Sequence, residues 1–230
     1  IASILIIVLS KNRVIGLMNT NWSGMKSILK FSLPLTFHVL GLILMQNADR
    51  IQVVRILGVE SNGIYSLGYT IGALLGVFHE SLAKVWSPIF YKRMSKINIE
   101  RSKQFVKFVY LYSAMSFGVF LVFYFTYEYI FELMINKKFE SSKEIIPIVA
   151  IALTIESIRK IFIGHLFILE KVKLIASITL LTGLINVILN QFFIAQYGII
   201  GAAYTTVISY LIATIITMLI VQMKMNFRWI

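Results

Sequence analysis

Six apolar stretches of bilayer-crossing length, joined by short polar connections, dictate the solvent in which this 230-residue chain can fold. They lie near residues 33–57, 62–91, 105–131, 145–169, 173–196 and 198–222. About 20 apolar residues in a helix cover the ~30 Å hydrocarbon core of a membrane. Polar residues are too scarce to clothe a soluble domain of this size: 58% of the chain is hydrophobic, 14% is charged, and mean hydropathy is +0.83. The expected fold is all-α, a polytopic integral membrane protein of six transmembrane helices plus an amino-terminal partial helix. The sequence divides into the end of a preceding transmembrane helix at 1–10, a cytoplasmic linker at 11–32, the six-helix bundle at 33–222 and a cytoplasmic tail at 223–230. The apolar run Ile1–Leu9 is too short to span and lacks the basic flank of a signal peptide. It reads as part of a longer protein whose carboxy-terminal portion is this chain.

Orientation follows from the basic residues. One set of connections holds Lys11, Arg13, Lys26 and Lys30, then Lys92, Arg93, Lys96, Arg101 and Lys103, then Lys171 and Lys173, and last Lys224 and Arg228. The alternate set holds only Arg55, Lys137, Lys138 and Lys143, offset by five glutamates. Lysine and arginine concentrate in cytoplasmic loops, which puts the first set and the carboxy terminus in the cytoplasm. This distribution also explains the net charge of +12 as a topology signal, not a nucleic-acid footprint.

Local punctuation refines the spans. Ser32 ahead of Pro34 predicts a helix cap followed by a first-turn proline. Ser141 and Glu144 have the spacing of a capping box before the span containing Pro147. Pro88 predicts a kink or an end late in its span. Tyr124, Tyr127 and Tyr129 fit an interfacial aromatic belt. Gly68, Gly72 and Gly76 recur every four residues on one helix face, which suits close helix packing or a surface that slides during transport.

Charged residues inside these spans carry the functional signal, because a charge at that depth needs a partner or a water-filled cavity. Asp49, the single aspartate, adjoins Arg50 in the first span. Adjacent residues point about 100° apart on a helix, so each needs its own partner. Glu80 and Lys84 share a face at i, i+4, as do Glu156 and Lys160, with Arg159 at i, i+3. Two readings fit this set: ion pairs that lock helices together, or a cationic cavity with a carboxylate that takes up a coupling proton or sodium ion. Under the second, Arg159, Lys160, Lys84, Arg50 and Asn186 are the substrate-binding candidates, and Glu156, Glu80 and Asp49 the ion-coupling or gating candidates. Asn186 and Asn190, again i, i+4, suit interhelical hydrogen bonds or substrate contact.

Enzymatic signatures are missing. Without cysteine there is no thiol catalysis and no cysteine-ligated metal, and His38, His79 and His165 have no metal-ligand spacing. His79 beside Glu80 suits a packing histidine or a proton relay. No phosphate loop, zinc-binding H-E-x-x-H or nucleophile elbow occurs. No catalytic residue, metal ligand or cofactor is therefore expected.

Leu33-Pro34, Asp49-Arg50 and Gly63-Ile64-Tyr65-Ser66, with the segment YGIIGAAYTTVIS at Tyr197–Ser209, resemble the polysaccharide biosynthesis family of membrane exporters, the Wzx-type O-antigen and capsule flippases. The fit is strong at 33–95 and looser elsewhere; only Asp49-Arg50 among the charged candidates matches a family motif by position. The resemblance implies the multidrug/oligosaccharidyl-lipid/polysaccharide exporter superfamily, with two six-helix bundles facing each other across a central cavity. This chain would be the second bundle, 11–32 the inter-bundle linker, and an amino-terminal six-helix bundle its missing partner. The implied cargo is an undecaprenyl-pyrophosphate-linked oligosaccharide, flipped across the bacterial inner membrane, with a polysaccharide polymerase or chain-length regulator as further partners. The alternatives are a membrane-embedded polymerase or lipid-dependent glycosyltransferase, and a drug/cation antiporter of the same fold. The first would need a sizeable external loop, and the second an acidic cavity.

Overall fold

A computed structural model describes residues 22–94 and 100–225. The partial helix at 1–10 and the first part of the linker lie outside the described residues. Five helices follow one another: α1 Trp22–Leu57, α2 Val59–Met94, α3 Glu100–Met134, α4 Ile145–Ile168 and α5 Val172–Met225, with a 3-10 turn at Lys137–Ser142 between α3 and α4.

The 54 residues of α5 would run ~80 Å if straight, far beyond one bilayer. Gly198 breaks the helix with φ 63° and ψ −145°, a backbone conformation closed to other side chains. Gly201 then packs against the Phe193 carbonyl where a Cβ could not fit. The two arms, 172–197 and 199–225, thus correspond to the last two expected spans, and the described residues form six helical rods. Among the described residues three segments are long and apolar enough to cross a membrane, namely Ile28–Leu57, Lys103–Leu133 and Val172–Lys224. Helix α4 carries Glu156, Arg159 and Lys160 close together within its apolar run, and α2 mixes Ser, Thr, Tyr and Gly, with Glu80 and Lys84 later, among its apolar residues.

Several punctuation signals play out differently. Helix α1 already runs through 22–32, residues expected in the linker, and Pro34 lies inside it. Ser32 does not cap a helix start; its hydroxyl donates to the Ile28 carbonyl at 2.5 Å, since an uninterrupted helix leaves no free N–H there for it to accept. The capping box does not form either. Ser141 lies inside the 3-10 turn, and Glu144 precedes α4 without a side-chain cap bond. The cap that is made belongs to the 3-10 turn, where Asn136 accepts from the Lys138 N–H at 3.0 Å. Pro88 does not end α2, which continues to Met94. Tyr124 and Tyr129 are exposed toward the end of α3.

Helix α4 is the axis of the bundle, packed against α2, α3 and α5, while α1 lies along α5. The glycine face of α2 makes the α2–α4 contact possible. A Cβ on Gly68 would sit 2.5 Å from the Ser142 carbonyl oxygen, and one on Gly72 would sit 2.9 Å from that of Ile146. Gly76 is looser, at 3.6 Å from Leu153. Small residues let helices approach within van der Waals contact in a solvent that offers little hydrophobic drive. Near the α2–α3 connection an aromatic cluster of Phe90, Phe105, Phe108 and Phe162 fills the interior, and near the α1–α2 turn Val53, Tyr65, Tyr69, Val149 and Ile194 do so.

Candidate functional site

The deepest polar cluster forms around Asp49, whose side chain is fully buried. Four rods converge on it. From α2, the Tyr65 hydroxyl donates to Oδ2 at 3.0 Å. From the second arm of α5, the Thr206 hydroxyl donates to the same oxygen at 2.7 Å. From the first arm, Asn190 donates through Nδ2 to Oδ1 at 2.5 Å and to Asn186 Oδ1 at 3.2 Å. The Thr205 hydroxyl in turn donates to Asn190 Oδ1. The carboxylate therefore has three donors, and charge-assisted bonds of this kind offset much of its desolvation. One polar atom is left over: the buried Nδ2 of Asn186 has no partner among the described residues.

Arg50 points elsewhere, as the helical offset requires. Its guanidinium carbon lies 5.1 Å from the Tyr69 ring centroid, a cation–π contact. Its Nε has no hydrogen-bond partner among the described residues. The two halves of the Asp49-Arg50 pair thus meet different partners.

A second cluster lies within α4. Arg159 donates from Nε to Glu156 Oε2 at 2.6 Å and from Nη2 to Oε1 at 2.7 Å, a bidentate fork with the arginine side chain 1% and the glutamate 12% exposed. His38 is also buried, and its Nδ1 shares a 2.7 Å hydrogen bond with the Thr179 hydroxyl of the first arm of α5.

The remaining charged candidates face outward. Glu80, Lys84 and Lys160 are exposed. Lys160 shares a small cavity of about 40 Å³ with Ala83 and Ser87, which places it beside the stretch of α2 that carries Lys84. The expected ion pair between Glu80 and Lys84 is not formed, and neither is one between Glu156 and Lys160. Both Glu156 oxygens are committed to Arg159, and exposed lysines lose rotamer freedom on pairing for little gain. Arg159, expected to meet substrate, is instead enclosed. Asn186, also a substrate candidate, is buried in the Asp49 network. His79 shares a 3.1 Å hydrogen bond with the Thr154 hydroxyl through Nε2, which fits a packing role, while its Nδ1 has no partner among the described residues.

Sequence reasoning assigned no role to Tyr65, Tyr69, Thr205, Thr206, Thr179 or Tyr210. Tyr65 and the Thr205-Thr206 pair sit within the two segments that resemble exporter motifs, so a signal was present. Their convergence on Asp49 depends on the fold-back at Gly198, which no local spacing reveals.

Solved structures share this all-α fold. The chain is similar to an outward-facing multidrug resistance MATE family transporter of the MOP superfamily, with 17% identity and TM-score 0.61, over 84% of this chain and 44% of that one. A MATE in the straight conformation matches with 19% identity and TM-score 0.62, over 86% and 44%. A MOP superfamily transporter from Pyrococcus furiosus, described as having a binding pocket of reverse polarity, matches with 17% identity and TM-score 0.61, over 84% and 43%. At these identities the likeness establishes the fold alone, and the chain spans less than half the length of each. No curated protein matches it significantly. A family model described as polysaccharide biosynthesis protein matches residues 1–144, and the chain belongs to that family.

Proposed function

We propose that this bundle is the carboxy-terminal half of a flippase that carries an undecaprenyl-pyrophosphate-linked oligosaccharide across the bacterial inner membrane by alternating access. The observation that supports the reading best is the exposure of Lys160, more than two helical turns before α4 ends at Ile168. An ammonium group at that depth is costly against lipid and is accommodated by a water-filled cavity or an anionic ligand. A pyrophosphate head group is such a ligand, and Lys84 on the adjacent stretch of α2 would share the work. Arg159 then serves as a structural member whose ion pair with Glu156 holds Lys160 in place. The charge distribution of the connections supports a cytoplasmic carboxy terminus.

Coupling falls to Asp49 on this reading. Carboxylate, amide and hydroxyl oxygens suit a proton or a hard alkali cation. Neutralising Asp49 would remove the acceptor that ties α1, α2 and both arms of α5 together, and so change how these rods pack. The drug/cation antiporter alternative draws on the MATE neighbours, but the cations Lys84 and Lys160 on the exposed face oppose a cationic cargo. The test is reconstitution of the full-length protein with lipid-linked oligosaccharide under imposed proton or sodium gradients. Translocation should depend on one of these gradients and lose that dependence in Asp49→Asn; translocation indifferent to both gradients would remove the coupling role.

A further inference from the structure

A groove of about 1000 Å³ opens at the end of the bundle where α1 begins and α4 turns into α5. Lys30 lines it from α1, and Lys171 and Lys173 from the start of α5. Ile28, Val172 and Leu174 supply apolar wall on the same two helices. The membrane-length apolar segments of α1 and α5 begin at Ile28 and Val172. The groove therefore lies beside the starts of both apolar segments, with cations and apolar surface side by side.

The turn that presents two of these lysines is rigidly built. The Lys171 N–H donates to the Leu166 carbonyl at 2.9 Å and the Glu170 N–H to that of Phe167 at 3.0 Å, the paired bonds of a Schellman stop. Glu170 occupies its left-handed position with φ 55°, a conformation that costs a non-glycine residue about 1 kcal/mol. Three lysines against one glutamate leave the groove cationic, and among the described residues none of the three lysines is in a salt bridge. The opposite end of the bundle differs, because Lys143 there lies 3.7 Å from Glu128 and 3.6 Å from Glu132.

From this juxtaposition we infer that the groove binds an anionic glycerophospholipid, its phosphate among Lys30, Lys171 and Lys173 and its acyl chains along Ile28 and Leu174. A free anion would need the lysines only; the apolar walls beside them are complementary to a lipid. Lysines near a membrane surface each strengthen binding to acidic lipid by about fivefold. The inference does not depend on the flippase reading, since it requires only that α1 and α5 cross the membrane.

The test uses the full-length protein in a neutral detergent, titrated with phosphatidylglycerol or phosphatidylcholine and read by native mass spectrometry. Phosphatidylglycerol should bind at least tenfold more tightly. The triple variant K30Q/K171Q/K173Q should lose that preference, and K171Q or K173Q alone should weaken binding about fivefold. The triple arginine variant should retain the preference, which separates charge from misfolding, and K137Q/K138Q at the opposite end should leave it intact. Equal binding of the two lipids, undiminished binding in the glutamine triple, loss in the arginine triple, or displacement of phosphatidylglycerol by millimolar inorganic phosphate would each overturn the assignment.

Discussion

Arg159 and Lys160 are neighbours in sequence and opposites in structure. The first is locked in a bidentate pair with Glu156 and enclosed by the bundle; the second is exposed beside α2. A 100° step around α4 is enough to separate them. Neighbours in α1 also part company: Asp49 meets a network of donors, while Arg50, half-buried, lies over the buried Tyr69 ring. Asp49 draws donors from three other rods, Arg159 is satisfied within its own helix, and Lys160 is left exposed. Type and depth of a residue therefore say less about its role than the face it occupies.

The comparison breaks most visibly at Glu156. Glu156→Ala would leave the enclosed Arg159 without its counterion, a loss of about 3–5 kcal/mol, and should remove most of the protein from the membrane fraction or sharply lower its unfolding temperature. Replacing both partners with methionine should restore much of that stability. Next come the glycines at the α2–α4 contact. Gly68→Leu should cost about 1–3 kcal/mol through overpacking, because its side chain would have to displace the Ser142 carbonyl. Gly76→Ala, with 3.6 Å of room, should leave thermal unfolding almost unchanged.

An effect of the same size as that of Gly68→Leu probes the Asp49 network. Tyr65→Phe deletes one of three donors to the carboxylate and should cost about 1–3 kcal/mol, as hydrogen bonds to charged groups do, measured by thermal unfolding in detergent. The smallest stability change belongs to Lys160→Ala, within about 0.5 kcal/mol of the parent, as for other exposed sites without a partner. A large destabilisation there would show that Lys160 is a packing residue after all and would erase the contrast with Arg159.

Most of the fold could be read from the chain. Apolar runs located the six rods, because a backbone in hydrocarbon must satisfy itself within a helix. The glycine spacing anticipated the α2–α4 contact. The boundaries were less legible, since Ser32, Ser141 and Glu144 carry cap-like spacing that the continuing helix and the 3-10 turn override. The site was legible by residue type and only partly by arrangement. Spacing allowed Glu156 to pair with either Arg159 or Lys160, and side-chain geometry chose the planar fork of arginine. The Asp49 network joins residues as far apart in sequence as Tyr65 and Thr206, a relation set by the reversal at Gly198.

The most direct test of the account is surface-glycan export in cells whose full-length protein carries Lys160→Ala, with membrane abundance measured in the same cultures. The account predicts that export collapses while abundance stays at the parental level, and that Lys160→Arg restores export. Normal export at normal abundance in Lys160→Ala would contradict it.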